Sequence, residues 1–250
     1  MTYIYGCGGK GEFGKKAEKI IALYNAGVRI PYSLFVDKRA FSDFLSQGVD
    51  DKTFLDFPLP KDLESELQQI PQMLYAVRSS ASAEDSDSLS FAGMYDSFLM
   101  VEKGDVGQRI RQCWYSSLGK RVRLYRERNN ISFVRGDMGV IIQEMILGEK
   151  SGVTFTKNPV SGEDELVIEV VNGLCEKLVS GSETPSTYFL NHKEKSRIAD
   201  ARLSDGELEM LIKNASKIEG LFSVPQDIEW TIRNRELYIL QTRPITRYSS

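Results

Sequence analysis

Four polar residues near the C-terminus have the types and the spacing to hold a metal ion and a phosphate group. Asp227 and Glu229 lie two residues apart, and so do Gln241 and Arg243. A carboxylate and an amide oxygen can share one Mg²⁺ ion, which prefers oxygen ligands together with substrate phosphates. An arginine can pair with the same phosphates. The same residues could also form a solvated surface with an Asp–Arg pair across two strands.

A β-hairpin would bring these four residues together. Residues 228–232 and 237–241 both alternate, which is typical of strands with one buried face. A three-residue loop at 234–236 would bury an apolar face, and a one-residue slip would invert every side chain. The pairs in that register are Ile232 with Tyr238, Trp230 with Leu240, Glu229 with Gln241, and Asp227 with Arg243.

A glycine cluster near the N-terminus is a second candidate for phosphate binding. Residues 6–11 read Gly-Cys-Gly-Gly-Lys-Gly, so backbone amides could approach an anion while Lys10 supplies a charge. The cluster formally fits the dinucleotide pattern, but the strand before it would be very short. It is not a Walker A loop, because Gly11 follows Lys10. A plain turn explains the cluster equally well.

Arg78 is the third candidate. It ends a predicted buried strand at residues 74–77 and opens a Ser-rich polar loop at residues 79–90. An arginine beside flexible donors suits the recognition of a triphosphate. Alternatively, Arg78 pairs with an acidic residue of that loop, namely Glu84, Asp85 or Asp87.

The elements that must position these residues are mixed. Helical spacing predicts helices around residues 17–24, 41–45, 106–118 and 208–218, the last with Ser204 as its N-cap. Short apolar runs predict strands at residues 34–36, 98–101, 140–142, 153–155 and 166–171. We therefore expect an α+β protein with two lobes, roughly residues 1–135 and 136–250, and a cleft between them.

The amino-acid composition argues against several classes of protein. The 250 residues carry a net charge of −3, and basic and acidic residues are interspersed, so nothing favours a nucleic-acid partner. Three widely spaced cysteines and a single histidine, His192, argue against a zinc site or a disulfide framework. No apolar stretch is long enough to be a signal peptide or to span a bilayer. We expect a cytoplasmic protein without a membrane partner.

Four stretches of the sequence form long motifs that cover nearly the whole chain. They are Gly8-Gly9-Lys10-Gly11, residues 76–85 (AVRSSASAED) with 90–93 (SFAG), residues 151–160 (SGVTFTKNPV), and residues 225–230 (PQDIEW) with 240–245 (LQTRPI). In type and order these motifs resemble the N-terminal nucleotide-binding domain of the phosphoenolpyruvate synthase and pyruvate phosphate dikinase family, which rifampin phosphotransferase and phenylphosphate synthase share.

The resemblance implies a single ATP-grasp domain over residues 1–250, with ATP and Mg²⁺ held between two lobes. It implies that Lys10 and Arg78 contact the phosphates and that Arg243 stabilises the transferring group; these three are the candidate catalytic residues. It implies Glu229 and Gln241 as Mg²⁺ ligands, with Asp227 as their support. The further nucleotide-binding residues that it implies are Gln143, Glu144, Met145 and Ile146 as a strand edge that reads adenine, and Gly93 and Ser97 in a loop over the phosphates.

Two features depart from the family. The Gly-Leu-Gly-Glu turn reads Gly173-Leu174-Cys175-Glu176, and the segment between Tyr188 and Leu203 is short for the family. Family enzymes pass the phosphoryl group through a histidine on a separate domain, whereas His192 lies in a hydrophilic stretch without that motif.

Three functions stay open at this point. The leading hypothesis is an ATP-dependent phosphotransferase component that phosphorylates a histidine on a carrier domain or subunit, from which an unknown small molecule receives the group. A stand-alone kinase or ligase acting directly on a small molecule is the second, and a nucleotide-binding module without turnover is the third.

Overall fold

The computed structural model describes residues 1–82, 94–129, 134–174, 183–190, 195–197 and 202–245. The chain folds into two units, each built on its own antiparallel sheet with helices, so the expected α+β class is confirmed. The first unit comprises Met1–Ile21 and Tyr32–Met145, and the second Ala22–Pro31 and Ile146–Ser250. The sequence-based boundary near residue 135 falls inside the first unit, because the strand that follows it pairs with two strands of that unit.

The first unit contains a five-stranded sheet in the order β1-β2-β5-β3-β4, with every neighbouring pair antiparallel. Its strands are β1 (Ile4–Tyr5), β2 (Ser33–Val36), β3 (Leu74–Ala81), β4 (Ser97–Glu102) and β5 (Met138–Glu144). The helices along this part of the chain are α1 (Lys15–Asn25), α2 (Lys38–Ser46), α3 (Lys61–Gln69), α4 (Val106–Ser116) and α5 (Lys120–Arg128).

One face of this sheet forms the main core of the first unit. Val77 and Ile142 from the sheet join a cluster of aromatic residues from the helices. Phe41 of α2 stacks on Trp114 of α4 with ring centroids 5.0 Å apart, and both side chains are fully buried. This packing explains the strong apolar periodicity that predicted both helices.

Strand β3 is four residues longer than the sequence predicted, so Arg78 lies within it and does not end it. The predicted loop that began at Ser79 is wrong in its first residues, since Ser79, Ser80 and Ala81 are fully buried and pair with β5. Gly14 lies very close to this part of β3: a Cβ added to Gly14 would sit 2.1 Å from the Ser80 carbonyl oxygen. The hydroxyl Oγ of Ser80 also accepts a hydrogen bond from the Ala17 amide in the first turn of α1, at 3.0 Å.

The second unit contains a six-stranded sheet in the order β11-β10-β6-β7-β8-β9, again antiparallel throughout. Its elements are β6 (Lys150–Phe155), β7 (Leu166–Asn172), β8 (Ser186–Leu190), β9 (Lys195–Arg197), α6 (Asp205–Phe222), β10 (Gln226–Arg233) and β11 (Glu236–Pro244). The expected N-cap of α6 is confirmed as a capping box between Ser204 and Glu207.

One face of this sheet is apolar and packs against α6. Trp230 is fully buried there, and its indole Nε1 donates a 2.9 Å hydrogen bond to the Thr154 hydroxyl. Gly152 makes room for the ring, because an added Cβ would lie 2.7 Å from it. Leu23 and Val28, from much earlier in the chain, complete this core. Tyr24, the last residue of the apolar pattern that predicted α1, is 54% exposed.

Among the helices that the structure describes, none combines the length and the apolar character that a membrane crossing needs.

Candidate functional site

The hairpin of β10 and β11 brings four of the predicted site residues together in the predicted pairs. Asp227 lies opposite Arg243, and Glu229 lies opposite Gln241. The Arg243 Nε atom donates to Asp227 Oδ2 at 2.6 Å, and the Gln241 amide donates to Glu229 Oε1 at 2.5 Å. These side chains occupy the sheet face opposite to the one that holds Trp230, because successive side chains of a strand alternate.

The predicted turn, however, is wrong. The loop has two residues, Asn234 and Arg235, both with positive φ (52° and 63°), as in a type I′ turn. Ile232 therefore pairs with Leu237, and Trp230 pairs with Ile239. The predicted partners, Tyr238 and Leu240, are not the buried ones: Leu237 and Ile239 are.

A β-bulge restores the predicted pairs further along the hairpin. The register shifts between Glu229 and Trp230, so that β11 contains one residue, Leu240, more than its partner over this step. Without the extra residue in β11, Gln241 would share a face with Ile239 and point into the core. The bulge therefore turns Gln241 and Arg243 towards the polar face.

Buried hydrogen bonds fix the site end of the hairpin. Gln226 is fully buried, and its Oε1 accepts from the Thr242 hydroxyl at 2.8 Å. The Gln226 backbone N–H donates to the Thr156 hydroxyl at 2.9 Å, which ties β10 to the end of β6. Asp227 and Arg243 are the next residues along their strands, so the same hydrogen bonds help to fix the position of their backbone.

The sequence analysis missed a further carboxylate on the polar face, Glu169 of β7. It pairs with Val153, which pairs in turn with Glu229, so the three side chains form one row across the sheet. Burial, and then the charge of Asp227, raises the pKa of Glu169. A single acid within the apolar run of residues 166–171 was the signal that could have revealed it.

In the first unit, Arg78 and Ser97 lie directly opposite each other on β3 and β4. Ser97 was expected in a loop but is the first residue of a strand, because β4 begins one residue before the predicted apolar run. Arg78 also pairs with Ile141 of β5, two residues before Gln143, so Arg78 and Gln143 share one face of the sheet.

The same face carries the residues that border the glycine cluster. Tyr5 ends β1 immediately before the cluster, and Phe13 follows it; their ring centroids lie 5.5 Å apart. Phe13 also contacts Phe35 of β2, the residue that pairs with Ile141. Within the cluster, the Gly9 amide donates to the Gly6 carbonyl at 3.0 Å, and Lys10 is exposed.

The predicted strand edge at residues 143–146 differs from the structure. Gln143 and Glu144 lie in the central strand β5 and are paired on both sides, so their backbone is not an edge. The Gln143 side chain is buried and donates to the Ser33 hydroxyl at 3.3 Å. Met145 donates its amide to the Leu74 carbonyl at 2.9 Å, and Ile146 lies beyond the strand.

Several residues named from the sequence lie outside the described residues, namely Glu84, Asp85, Asp87, Gly93, Cys175, Glu176 and His192.

The Glu229–Gln241 pair suits a Mg²⁺ ion by its donor chemistry. Turning the Gln241 amide by half a turn would place its oxygen beside the Glu229 carboxylate. Two oxygens are sufficient for a Mg²⁺ ion that keeps waters and phosphate oxygens as its other ligands. Over the described part of the chain, no group of three or more His, Cys, Asp or Glu side chains is arranged to hold a metal ion.

Comparison with known proteins gives the family. The family described as "Pyruvate phosphate dikinase, AMP/ATP-binding domain" matches residues 8–202 and 192–250. The chain belongs to this family and is an AMP/ATP-binding domain of the pyruvate phosphate dikinase type, as the resemblance implied.

The similar proteins include two archaeal ones. A probable phosphoenolpyruvate synthase of Methanothermobacter thermautotrophicus is 38% identical over 200 residues, which cover 68% of this chain and 29% of that protein. A probable phosphoenolpyruvate synthase of Archaeoglobus fulgidus is 31% identical over 297 residues, covering 93% and 39%.

A rifampicin phosphotransferase of Streptomyces sviceus is 35% identical over 201 residues, covering 69% of this chain and 23% of that protein. The chain thus spans well under half the length of these relatives. Among solved structures, the D-alanine–D-alanine ligase of Helicobacter pylori aligns with a TM-score of 0.46 at 10% identity, over 91% of this chain and 53% of that one.

Proposed function

We propose that this chain is the nucleotide-binding component of an ATP- and Mg²⁺-dependent phosphotransferase. It would pass a phosphoryl group from ATP to a histidine on a separate carrier domain or partner subunit. The observation that carries the proposal is the hairpin register, which holds Asp227 against Arg243 and Glu229 against Gln241 on one polar face of an ATP-binding domain.

Each of these four side chains has a task in that proposal. Glu229 and Gln241 would hold Mg²⁺, which when bound neutralises charge on the phosphate oxygens. Asp227 accepts from Nε of Arg243 at 2.6 Å, which sets the direction of the guanidinium that would stabilise the transferring group. Phosphoryl transfer depends on this kind of positioning and charge neutralisation more than on covalent chemistry by the protein.

The first unit would supply the remaining nucleotide contacts. Lys10 and Arg78 bind phosphates as cations in this proposal, and Gly93 and Ser97 lie over them. Ser97 is well placed for this, since it is exposed and directly opposite Arg78. Residues 143–146 would recognise adenine.

The proposal also includes the acceptor of the phosphoryl group. Two of the similar proteins are named for making phosphoenolpyruvate and one for modifying rifampicin, and all are much longer than this chain. We therefore place the carrier histidine on another domain or subunit, and the final acceptor is a small molecule. A cytoplasmic location is part of the same proposal.

The decisive experiment follows label from ATP that carries it in its β- and γ-phosphates. The chain is incubated with and without the histidine-bearing domain of a similar protein. We expect slow hydrolysis by the chain alone, and acid-labile, base-stable label on the carrier domain when it is present. The variant His192→Ala should transfer label as the wild type does.

Three other outcomes would each contradict the proposal in a different way. Label that accumulates on His192 would make the chain its own carrier. Label that passes to a small molecule without a carrier would indicate a stand-alone kinase. ATP binding without turnover under any condition would indicate a nucleotide-binding module.

A further inference from the structure

Lys38, in the first turn of α2, is a partly buried cation in the first unit that no motif in the sequence marked. Its side chain is 17% exposed. The ammonium donates to the Ser82 hydroxyl at 2.7 Å and to Asp137 Oδ1 at 3.0 Å. Ser82 in turn donates to the same Asp137 oxygen at 2.7 Å, so the three groups form a closed triangle.

The backbone of the same residue is attached to a different segment. The Lys38 amide donates to the Glu12 carbonyl at 2.9 Å, and the ammonium lies 3.3 Å from the Glu12 carboxylate. The neighbouring Asp37 accepts from the Glu12 amide at 3.2 Å. Asp37 is itself 1% exposed and accepts two hydrogen bonds from the Arg39 guanidinium, which orient its carboxylate.

Lys38 therefore connects two segments of the chain, each of which follows closely after a proposed phosphate-binding residue. Glu12 lies two residues after Lys10, at the end of the glycine cluster. Ser82 lies four residues after Arg78, just beyond the end of β3. Asp137 immediately precedes β5, the strand that pairs with β3 along its whole length.

The Lys38 ammonium is held in its charged form by its partners. Burial alone would lower the pKa of Lys38, but the hydrogen bonds and charges of Asp137 and Glu12 outweigh it and raise the pKa. The ammonium therefore stays charged throughout the range in which such an enzyme is assayed. A charged group of this kind, held on several sides, fixes the distance between the segments that it joins.

We propose that Lys38 is a positioning residue that sets the separation of Lys10 and Arg78, by joining the end of the glycine cluster to the end of β3. The inference rests on the proposed function, because it assigns Lys38 to the phosphate site of that function. Lys38 acts through its neighbours and does not touch the nucleotide. Displacement of a binding group by about 1 Å is enough to cost a large part of its effect.

The test compares ATP with adenosine, which lacks the phosphates. Lys38→Met keeps the length of the side chain and removes its charge and hydrogen bonds. We expect its dissociation constant for ATP to rise about tenfold, and the constant for adenosine to stay within about twofold. Lys38→Arg, which can still donate to Ser82 and Asp137, should recover most of the ATP affinity. Lys52→Met, at an exposed lysine of the same unit, is the matched control and should behave as the wild type.

Thermal unfolding separates a positioning role from a purely structural one. If Lys38→Met lowers Tm and weakens ATP and adenosine equally, Lys38 only stabilises the fold and the proposal is wrong. If Lys38→Met does not fold, Asp137→Asn replaces it, with the same selective loss of ATP expected. Equal binding of ATP by Asp137→Asn and the wild type would then overturn the proposal.

Lys10→Ala tells a failure of this inference from a failure of the proposed function. If Lys10→Ala weakens ATP while Lys38→Met does not, Lys38 has no positioning role and the phosphate site stands. If neither variant affects ATP, the phosphate site itself is misassigned.

Discussion

Glu229 is the residue at which the proposed chemistry is most directly tested. It lies on the polar face of β10, half-buried, and its carboxylate contacts the Gln241 amide. Since it is outside the apolar core, Glu229→Ala should fold normally. We expect its rate of ATP turnover to fall at least about a hundredfold.

The matched control is Glu209→Ala, because Glu209 is an exposed carboxylate on α6 of the same unit. Turnover and the circular dichroism spectrum should be measured for both variants. A folded Glu229→Ala protein with wild-type turnover would remove Glu229 from the metal site.

Glu169 gives a prediction about pH. Its pKa is raised, by burial first and then by Asp227, so the folded protein binds this proton more tightly than the unfolded chain does. Stability from this group is therefore present below the ordinary Glu pKa and is lost as pH rises through the raised value. We expect Glu169→Gln to have a higher Tm than the wild type at pH 7, because the variant carries no buried charge.

The difference in Tm between Glu169→Gln and the wild type should close below about pH 4, where the wild-type carboxyl is protonated. Melting curves across this range check the prediction. A difference that is the same at every pH would show that packing, and not ionisation, separates the two proteins.

Among the elements, the turn of the β10–β11 hairpin holds a non-glycine residue in an unfavourable backbone conformation, and a substitution can remove this strain. Arg235 has a φ of 63° in its two-residue turn, a conformation that a glycine adopts without penalty. Arg235→Gly should raise the free energy of unfolding by about 1 kcal/mol. Arg233→Gly, in the adjoining strand, should lower it by about 0.5–1 kcal/mol. Denaturant titration of both variants should give opposite signs; the same sign for both would contradict the assigned turn.

The same hairpin shows how far sequence reasoning reached. It predicted the two site pairs, because alternation fixes which residues share a face and the acids and their partners had to match. It placed the extra residue in the turn, whereas the structure places it in a bulge at Leu240. Both arrangements place Gln241 on the same face of the sheet. A bulge in a short strand cannot be recognised from the residue composition of that strand.

Other elements were missed for reasons of context. Ser79 and Ser80 looked like loop residues, since serine is common in loops, but both are fully buried and pair with β5. That pairing joins residues that are far apart in the chain. Glu144 was taken for an edge residue, and only the strand order shows that β5 is central. The local sequence pattern predicts which helices and strands form. Tertiary contacts determine where each of them ends and which strands pair.

At the scale of the whole molecule, the second unit depends on a segment from early in the chain. Leu23 is fully buried in its core, and the Arg29 carbonyl accepts a 2.9 Å hydrogen bond from the Ile239 amide of β11. Leu23→Ala should lower the free energy of unfolding by about 2–5 kcal/mol. Tyr24→Ala, at the exposed neighbour, should change it by less than about 0.5 kcal/mol. Chemical denaturation measures both values, and equal effects would contradict the assignment of residues 22–31 to the second unit.

The chain has two tryptophans, and each unit buries one of them completely: Trp114 in the first and Trp230 in the second. Their fluorescence is therefore a pair of built-in reporters. In Trp114→Phe the emission follows the second unit alone, and in Trp230→Phe it follows the first. Superimposable denaturation curves for the two variants would mean that the units melt as one cooperative body, and separated curves would give the order in which they melt. Nucleotide added to either variant would show which unit it stabilises, without a dye, a label or an assay of turnover.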